Sequence, residues 1–319
     1  MRRWVVVGGG SWGTAFATLL RDRGHDVVLA CRDPGQAATI SATARNPRYA
    51  EGVDLTGIEA TTIEAAPLAE AEVIVVAVPS RVFGGVVRML PGDAPVLSLT
   101  KGLDPATGSR LSTLVVDRPV AVLSGPNISE EILRGLPAAA VVASDEPELA
   151  RRLQQAINST VFRLYSTDDV AGVELCAAAK NVIALSAGGA DGLGLGDNAK
   201  AALVARGLAE MRRLADAAGA KPETFAGLAG MGDLIVTCWS PVGRNRRAGE
   251  LIARGATVEE ALAAIGQVVE GLTTAPVLRA LSHRLGVEMP ITEGVCAVLE
   301  GVSLAELVGQ LMRREPTTE

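Results

Sequence analysis

Few residues in this chain of 319 combine reactivity with surroundings that would tune it, and Lys180 is the first. It lies in VAGVELCAAAKNVIAL, apolar on nearly every face of a helix, and shares a stripe with Val173, Cys176, Ala177 and Ala184 at helical spacing. Burying an ammonium without a partner is costly, so its pKa falls until it can exchange a proton near neutrality. The alternative is a lysine snorkelling to the surface from a helix end. Asn181 is a second polar group in the same run. Asp233, in GLAGMGDLIVTC, stands where an N-cap aspartate would, before an apolar helical run. Thr237, four residues on, shares its face, and the carboxylate is also placed to keep a nearby Lys180 charged.

Two further groups depend on where a strand or helix ends. Lys101 follows the strand over 96–99 in SLTKGLD, at the carboxyl edge where open α/β sheets bind ligands; an ordinary loop lysine fits the spacing equally well. SGPN at 124–127 ends the next strand in the same way, as a ligand-edge loop or simply a turn. SPVGRNRRAGEL sets Gly243, Arg244 and Asn245 at a helix start. Guanidinium, amide and free backbone N–H groups converging there would hold a phosphate, and the rival reading is a solvated basic turn.

These groups need a scaffold, and the N-terminus supplies its most specific stretch. WVVVGGGSWGTA is a short apolar strand running into Gly8, Gly10 and Gly13 at G-x-G-x-x-G spacing, then into a helix, with a second strand following at βαβ distance. The first glycine permits the tight turn, the second lets backbone approach a pyrophosphate, and the third lets helix and strand pack. A dinucleotide at the helix N-terminus follows. Strands at 4–7, 27–31, 58–62, 73–78, 96–99, 120–123, 139–143 and 161–165 alternate with helical or polar connections, which predicts a doubly wound, mostly parallel Rossmann-type sheet. Asp33 with Pro34 opens one helix, and Ser144 before an acidic turn another. After about residue 167 only helical spacing remains, over 170–187, 199–218, 244–254, 257–265, 271–285, 291–300 and 303–314. Capping boxes stand at Thr257/Glu260 and Ser303/Glu306. The expected division is a dinucleotide-binding domain over 1–167 and an all-helical substrate-binding and catalytic domain over 168–319, with the cleft between them and a disordered tail from Pro316 to Glu319.

A net charge of −6 with no basic stripe interleaved with aromatics excludes a nucleic-acid binder. Most of the paired arginines, Arg2-Arg3, Arg151-Arg152, Arg212-Arg213 and Arg313-Arg314, read as solvated faces or helix C-terminal charges; the exception is Arg246-Arg247, in the stretch at Arg244. Four scattered cysteines fit a reducing compartment, and two isolated histidines give no metal site, so metal catalysis is not expected. No uninterrupted apolar run of transmembrane length and no signal peptide are seen, so a cytoplasmic protein without stable membrane insertion is expected.

Taken in order, GGGSWGTA, VPS at 78–80, TKGLDPATG, SGPN, AAAKNVIAL, GMGDLIVTC, GRNRRAG and VVEG at 268–271 resemble the bacterial NAD(P)-dependent glycerol-3-phosphate dehydrogenase family over nearly the whole chain. The resemblance implies interconversion of sn-glycerol 3-phosphate and dihydroxyacetone phosphate by hydride transfer, supplying phospholipid synthesis. It implies Lys180 as proton acceptor, with Lys101 and Asp233 beside it. Gly8, Gly10, Ser11, Trp12, Gly13, Arg32, Lys101, Ser129, Arg244, Val268 and Glu270 would hold the cofactor. The substrate would meet Lys101, Gly125, Asn127, Lys180, Asn181, Asp233, Thr237, Gly243, Arg244 and Asn245. Asn127, Ser129 and Gly243 stand where the family more often has Ser or Thr, Ala, and Ser.

Arg32 ends the second strand where NAD-preferring sites carry an acidic residue, although Asp33 adjoins it. NADP or NAD is therefore expected, with NADPH favoured. The rivals are a ketopantoate reductase or 3-hydroxyacid dehydrogenase, which act on carboxylates, and a silent dinucleotide sensor, which would need only the glycine loop. A homodimer is compatible with the apolar helical faces.

Overall fold

The computed structural model describes residues 3–304 together with 306 and 307. Within them, short β-branched runs form one sheet: β1 (Arg3–Val7), β2 (Asp26–Cys31), β3 (Ile58–Thr62), β4 (Val73–Val76), β5 (Val96–Ser98), β6 (Val120–Ser124), β7 (Ala138–Ala143) and β8 (Phe162–Thr167). Their spatial order is β3-β2-β1-β4-β5-β6-β7-β8. Every neighbouring pair is parallel except β6 with β7. Val5 pairs with Val28 on one side and Ile74 on the other, at the point where strand order reverses. In open α/β sheets a ligand crevice forms at such a point, beyond the carboxyl ends of the strands.

Helices α1 (Ser11–Asp22), α2 (Pro34–Thr43), α3 (Ser80–Arg88), α4 (Ser129–Leu133) and α5 (Pro147–Ile157) connect the strands and cover the sheet. Phe16, Leu20, Leu29, Leu97 and Phe162 are fully buried in one core, and Val5, Ile74, Val76, Phe83 and Leu111 in another. Each such side chain contributes about 1.5–3 kcal/mol by leaving water. Asp33 caps α2 by accepting from the Gly35 and Gln36 amides, with Pro34 leading the helix. Ser144 does not open α5. Proline at position 147 takes the first helical place, where a missing N–H is harmless. Ser144 Oγ instead accepts from the Glu146 amide and donates to the Val120 carbonyl, tying the helix entry to the sheet.

After Thr167 every named element is helical: α6 (Val170–Gly192), α7 (Gly196–Ala217), α8 (Pro222–Ala226), α9 (Asp233–Trp239), α10 (Arg244–Ala253), α11 (Val258–Ile265), α12 (Glu270–Leu285) and α13 (Pro290–Leu299). Thr257 and Glu260 complete a capping box on α11. The helix expected over 303–314 lies mostly, and the tail Pro316–Glu319 wholly, outside the described residues. By length and composition α6 could cross a membrane, but most of it is buried inside the molecule. Its apolar circumference is explained by the helices α7, α9, α10 and α12 that surround it.

The α6–α10 contact is backbone on backbone. A Cβ on Gly188 would stand 1.8 Å from the Arg246 carbonyl oxygen, and one on Gly249 would stand 1.9 Å from that of Leu185. The segment after β5 crosses to the helices: Leu103 is buried in the helical core, and Glu174 of α6 accepts from the Ser112 amide and hydroxyl and from Arg110. These contacts bring Lys101 to the seam between the two halves.

Candidate active site

The glycine turn after β1 is held from several sides. Gly8 has φ +123°, and a Cβ there would lie 2.3 Å from the Ala77 carbonyl oxygen; on Gly13 it would lie 1.9 Å from that of Gly8. Both positions therefore exclude any side chain. A Cβ on Gly10 meets no protein atom within 4 Å. It would instead protrude into the space before the first turn of α1, whose leading N–H groups have no intrahelical acceptor. That cradle fits a dinucleotide pyrophosphate, to which Ser11 and Trp12 could offer backbone N–H groups. The Trp12 ring itself packs against Phe16 and Phe162. Sequence reasoning missed two supports, Gln36 and the fully buried Asn46, whose side-chain amides both donate to the Gly9 carbonyl. Arg32 is exposed at the end of β2, while Asp33 spends its carboxylate on capping α2.

Across the seam, Lys101, Lys180 and Asp233 form one cluster. Lys180 Nζ donates to Asp233 Oδ1 at 2.8 Å and to Thr237 Oγ1 at 2.7 Å. Lys101 Nζ donates to Asp233 Oδ2 at 2.6 Å and to the Gly125 carbonyl at 3.1 Å. Ser124, also unflagged by sequence although it opens SGPN, donates to Asp233 Oδ2 at 3.3 Å. Asp233 is therefore not an N-cap. A π-helical turn over Leu228–Gly232 runs straight into α9, making Asp233 its first helical residue and turning the carboxylate inward to the lysines.

Electrostatics follow from this geometry. Lys180 is 5 % exposed, and burial lowers its pKa to about 8; Asp233 pulls it upward, and the like charge of Lys101 pushes it down. Burial alone would raise the Asp233 carboxyl, but the two ammonium groups outweigh it and hold the pKa below its ordinary value.

The start of α10 lies against the same helix. Asn245 Nδ2 donates to Asn181 Oδ1 at 2.9 Å, and Asn245 Oδ1 accepts from the Gly271 amide at 2.8 Å. Asn181 Nδ2 in turn donates to the Ala177 carbonyl. These two amides are thus partly committed to joining α6, α10 and α12, each Nδ2 keeping one further N–H. The Gly243 N–H, expected to be free, donates to the Ser240 carbonyl at 3.0 Å, because the chain turns tightly before the helix. The open amides are those after it. Arg244 is solvent-exposed and donates to the Val268 carbonyl at 3.0 Å; Glu270 and Tyr49, the latter from the loop after α2, are near enough to act on its charge.

Other expected residues spread around the seam. Glu270 opens α12 and accepts from the Ser80 amide and hydroxyl at the start of α3, joining the two halves. Burial raises its pKa, against the lowering effect of Ser80. The buried Thr274 Oγ1, one turn along, has no partner among the described residues. Ser129 begins α4. Asn127 Nδ2 donates to the Ala139 carbonyl at 3.3 Å, which fixes the amide orientation and leaves Oδ1 buried without a partner among the described residues. Tyr49 and Thr274 have no local sequence signal, since only the folded seam brings them near the site, whereas Ser80 lies in the VPS stretch without having been given a role.

Two family models divide the chain between them. Residues 4–150 match the N-terminus, and residues 169–308 the C-terminus, of NAD-dependent glycerol-3-phosphate dehydrogenase. A curated protein of Moorella thermoacetica, glycerol-3-phosphate dehydrogenase [NAD(P)+], is 46% identical over 99% of this chain and 97% of its own length. One of Stenotrophomonas maltophilia with the same description is 45% identical over 95% and 92%. The crystal structure of a glycerol-3-phosphate dehydrogenase from Coxiella burnetii superposes with a TM-score of 0.94 at 36% identity, covering 98% of this chain and 99% of that one. With both halves matched and the relatives covered nearly end to end, the chain belongs to the NAD-dependent glycerol-3-phosphate dehydrogenase family.

Proposed function

We propose that this chain interconverts sn-glycerol 3-phosphate and dihydroxyacetone phosphate with NAD(P), in the cytoplasm, and so supplies glycerol 3-phosphate for phospholipid synthesis. The observation that carries the reading is the pair of lysines sharing Asp233 at the seam, one of them buried and held near neutrality. Residues 1–167 bind the cofactor, and residues 168–319 carry the substrate and the base.

When bound, the nicotinamide exchanges a hydride with C2 of the substrate. Gly8, Gly10, Ser11, Trp12 and Gly13 would hold the pyrophosphate and Arg32 the adenosine ribose or its 2′-phosphate, and Ser129, Arg244, Val268 and Glu270 would also contact the cofactor. Lys180 takes the C2 hydroxyl proton in oxidation and returns it in reduction, which its pKa of about 8 permits in both directions. Lys101 adds positive charge where an alkoxide-like oxygen develops. Asp233 and Thr237 aim the two ammonium groups, and Gly125 fixes Lys101 through its carbonyl. The unpartnered Asn127 Oδ1 accepts from a substrate hydroxyl, in place of the side-chain hydroxyl common in relatives. Gly243 shapes the turn, and Arg244, Asn245 and the α10 amides grip the phosphate with Asn181 behind them. That binding energy, remote from C2, orients the carbon for reaction.

Arg32 is exposed, with no side-chain partner among the described residues, while Asp33 is occupied, which supports a preference for NADPH. The test is NADPH oxidation with dihydroxyacetone phosphate, followed spectrophotometrically, on the wild type and Lys180→Ala. The variant should lose about 10²–10⁴-fold in turnover, while its affinity for NADPH by fluorescence titration stays at the wild-type value. Retained turnover would dismiss Lys180 as the base.

A further inference from the structure

Sequence reading gave Arg246 no role of its own beside Arg244, yet its side chain is only 12 % exposed. Its Nη1 donates to Asp191 Oδ2 at 2.7 Å and to Glu250 Oε2 at 3.0 Å. Its Nε donates to the Ser240 carbonyl at 3.0 Å, and Nη2 reaches the Pro241 carbonyl at 3.5 Å. Both carbonyls belong to the turn between α9 and α10 that delivers Gly243, Arg244 and Asn245. Asp191 sits in the last turn of α6 and also accepts from the buried Lys200 of α7 at 2.7 Å; that ammonium in turn lies 5.2 Å from the Trp239 ring centre at the end of α9. One carboxylate therefore gathers α6, α7 and α10, and, through Arg246, the turn after α9.

The cluster does not reach the reacting groups. Asp191 lies eleven residues along α6 from Lys180, about 16 Å at helical rise. What it does reach is the backbone carrying the anion-binding end of α10. Arg246 leads α10 by its side chain, while α6 holds α10 by its backbone, where Gly188 leaves no room beside the Arg246 carbonyl. Rotation or retreat of the 240–243 turn would break the bonds to Ser240 and Pro241, and those bonds need the guanidinium held in place by Asp191. Lys200 and Arg246 share that charge, so loss of the carboxylate leaves the buried Lys200 without a carboxylate partner among the described residues and Arg246 with Glu250 alone.

We propose that Asp191 and Arg246 are positioning residues for phosphate recognition: they lock the α9–α10 turn so that the start of α10 presents its amides and Arg244 to the substrate's phosphoryl group. The inference rests on the proposed placement of the phosphate at α10 and extends it to residues that touch no ligand. Because proton transfer belongs to Lys180, on a separate part of α6, the signature is selective: substrate capture weakens while the chemical step does not.

The experiment is steady-state kinetics with dihydroxyacetone phosphate and NADPH on the wild type, Asp191→Asn, Arg246→Lys and Arg244→Ala, with Asp191→Glu as the conservative rescue. Asp191→Asn and Arg246→Lys should each raise KM for dihydroxyacetone phosphate about tenfold, less than the roughly hundredfold that a 1 Å misplacement of a positioned group can cost. Their turnover at saturation, and KM for NADPH, should stay within about twofold of wild type, and Asp191→Glu should recover most of the loss. Reduction of unphosphorylated dihydroxyacetone, which offers no phosphoryl group to α10, should be unaffected by either substitution. An unchanged KM in Asp191→Asn and Arg246→Lys beside a raised KM in Arg244→Ala would overturn this inference and leave the phosphate site standing. An equal fall in NADPH affinity and turnover would overturn it in favour of a general packing role. An unchanged KM in Arg244→Ala would remove the phosphate site and this inference together.

Discussion

Asp233→Asn tests the electrostatic logic of the site most directly, because it keeps the shape of the side chain while removing the one anion between two cations. With Lys180 at about 8, roughly one tenth of the lysine is neutral at about pH 7 and roughly nine tenths at about pH 9. Oxidation of glycerol 3-phosphate needs the neutral amine, so its kcat/KM should climb close to tenfold across that interval; reduction of dihydroxyacetone phosphate needs the ammonium and should fall across it. Burial and the charge of Lys101 both depress the Lys180 pKa, and Asp233 opposes them. Removing that opposing charge should move both limbs toward acid by about one to three pH units. Between about pH 7 and pH 9 the variant's oxidation rate should then rise no more than about twofold, toward a lower plateau, since Lys101 and Lys180 lose the shared acceptor that aims them. Lys101→Met should shift the limbs the opposite way, toward alkali. The assay is kcat/KM in both directions from about pH 6 to pH 10 in a buffer of constant ionic strength. A wild-type profile without a limb near 8, or an Asp233→Asn profile whose limb stays in place, would refute the assignment of the titrating group to this cluster.

Two further expectations concern the scaffold and the cofactor. Gly188→Ala sets a methyl group against the Arg246 carbonyl oxygen at a nominal 1.8 Å, so α6 and α10 must separate. Urea unfolding should show a loss of about 1–3 kcal/mol, and a midpoint equal to wild type would mean that the two helices have slack. Arg32→Ala should lower the specificity constant for NADPH by about tenfold, the worth of a charge-assisted contact of roughly 1.5–3 kcal/mol at its low end, with that for NADH little changed; equal losses for both cofactors would deny Arg32 a role in recognising the 2′-phosphate.

The sheet was readable because its central strands are buried on both faces and so appear as brief apolar runs between turn residues, as in Trp4–Val7 and Val73–Val76. The unusual character of Lys180 was readable for a related reason: nothing on its helical stripe is polar. The direction of Asp233 was not. Local pattern favours a cap, and only the π turn before it, set by Gly230 lying so near Phe225 that a Cβ would be 2.3 Å from its carbonyl oxygen, swings the carboxylate to the lysines. The role of Arg246 was not readable because its partners Asp191 and Ser240 come from other elements, and no periodicity within α10 announces them. Likewise Asn245 suggested a free amide, whereas its two hydrogen bonds cross to α6 and α12. Helical boundaries followed pattern, but side-chain partners followed from tertiary packing.

The glycine-lined seam between α6 and α10 has one more consequence. Lys180 and Asn181 ride on one rod and Arg244 and Asn245 on the other, and where rods touch through peptide groups there is no side chain to yield. Under the proposed assignment, the span from proton-transfer point to phosphoryl grip is then a fixed calliper. A phosphorylated ketone one carbon longer or shorter would be turned away by length, even where its functional groups match.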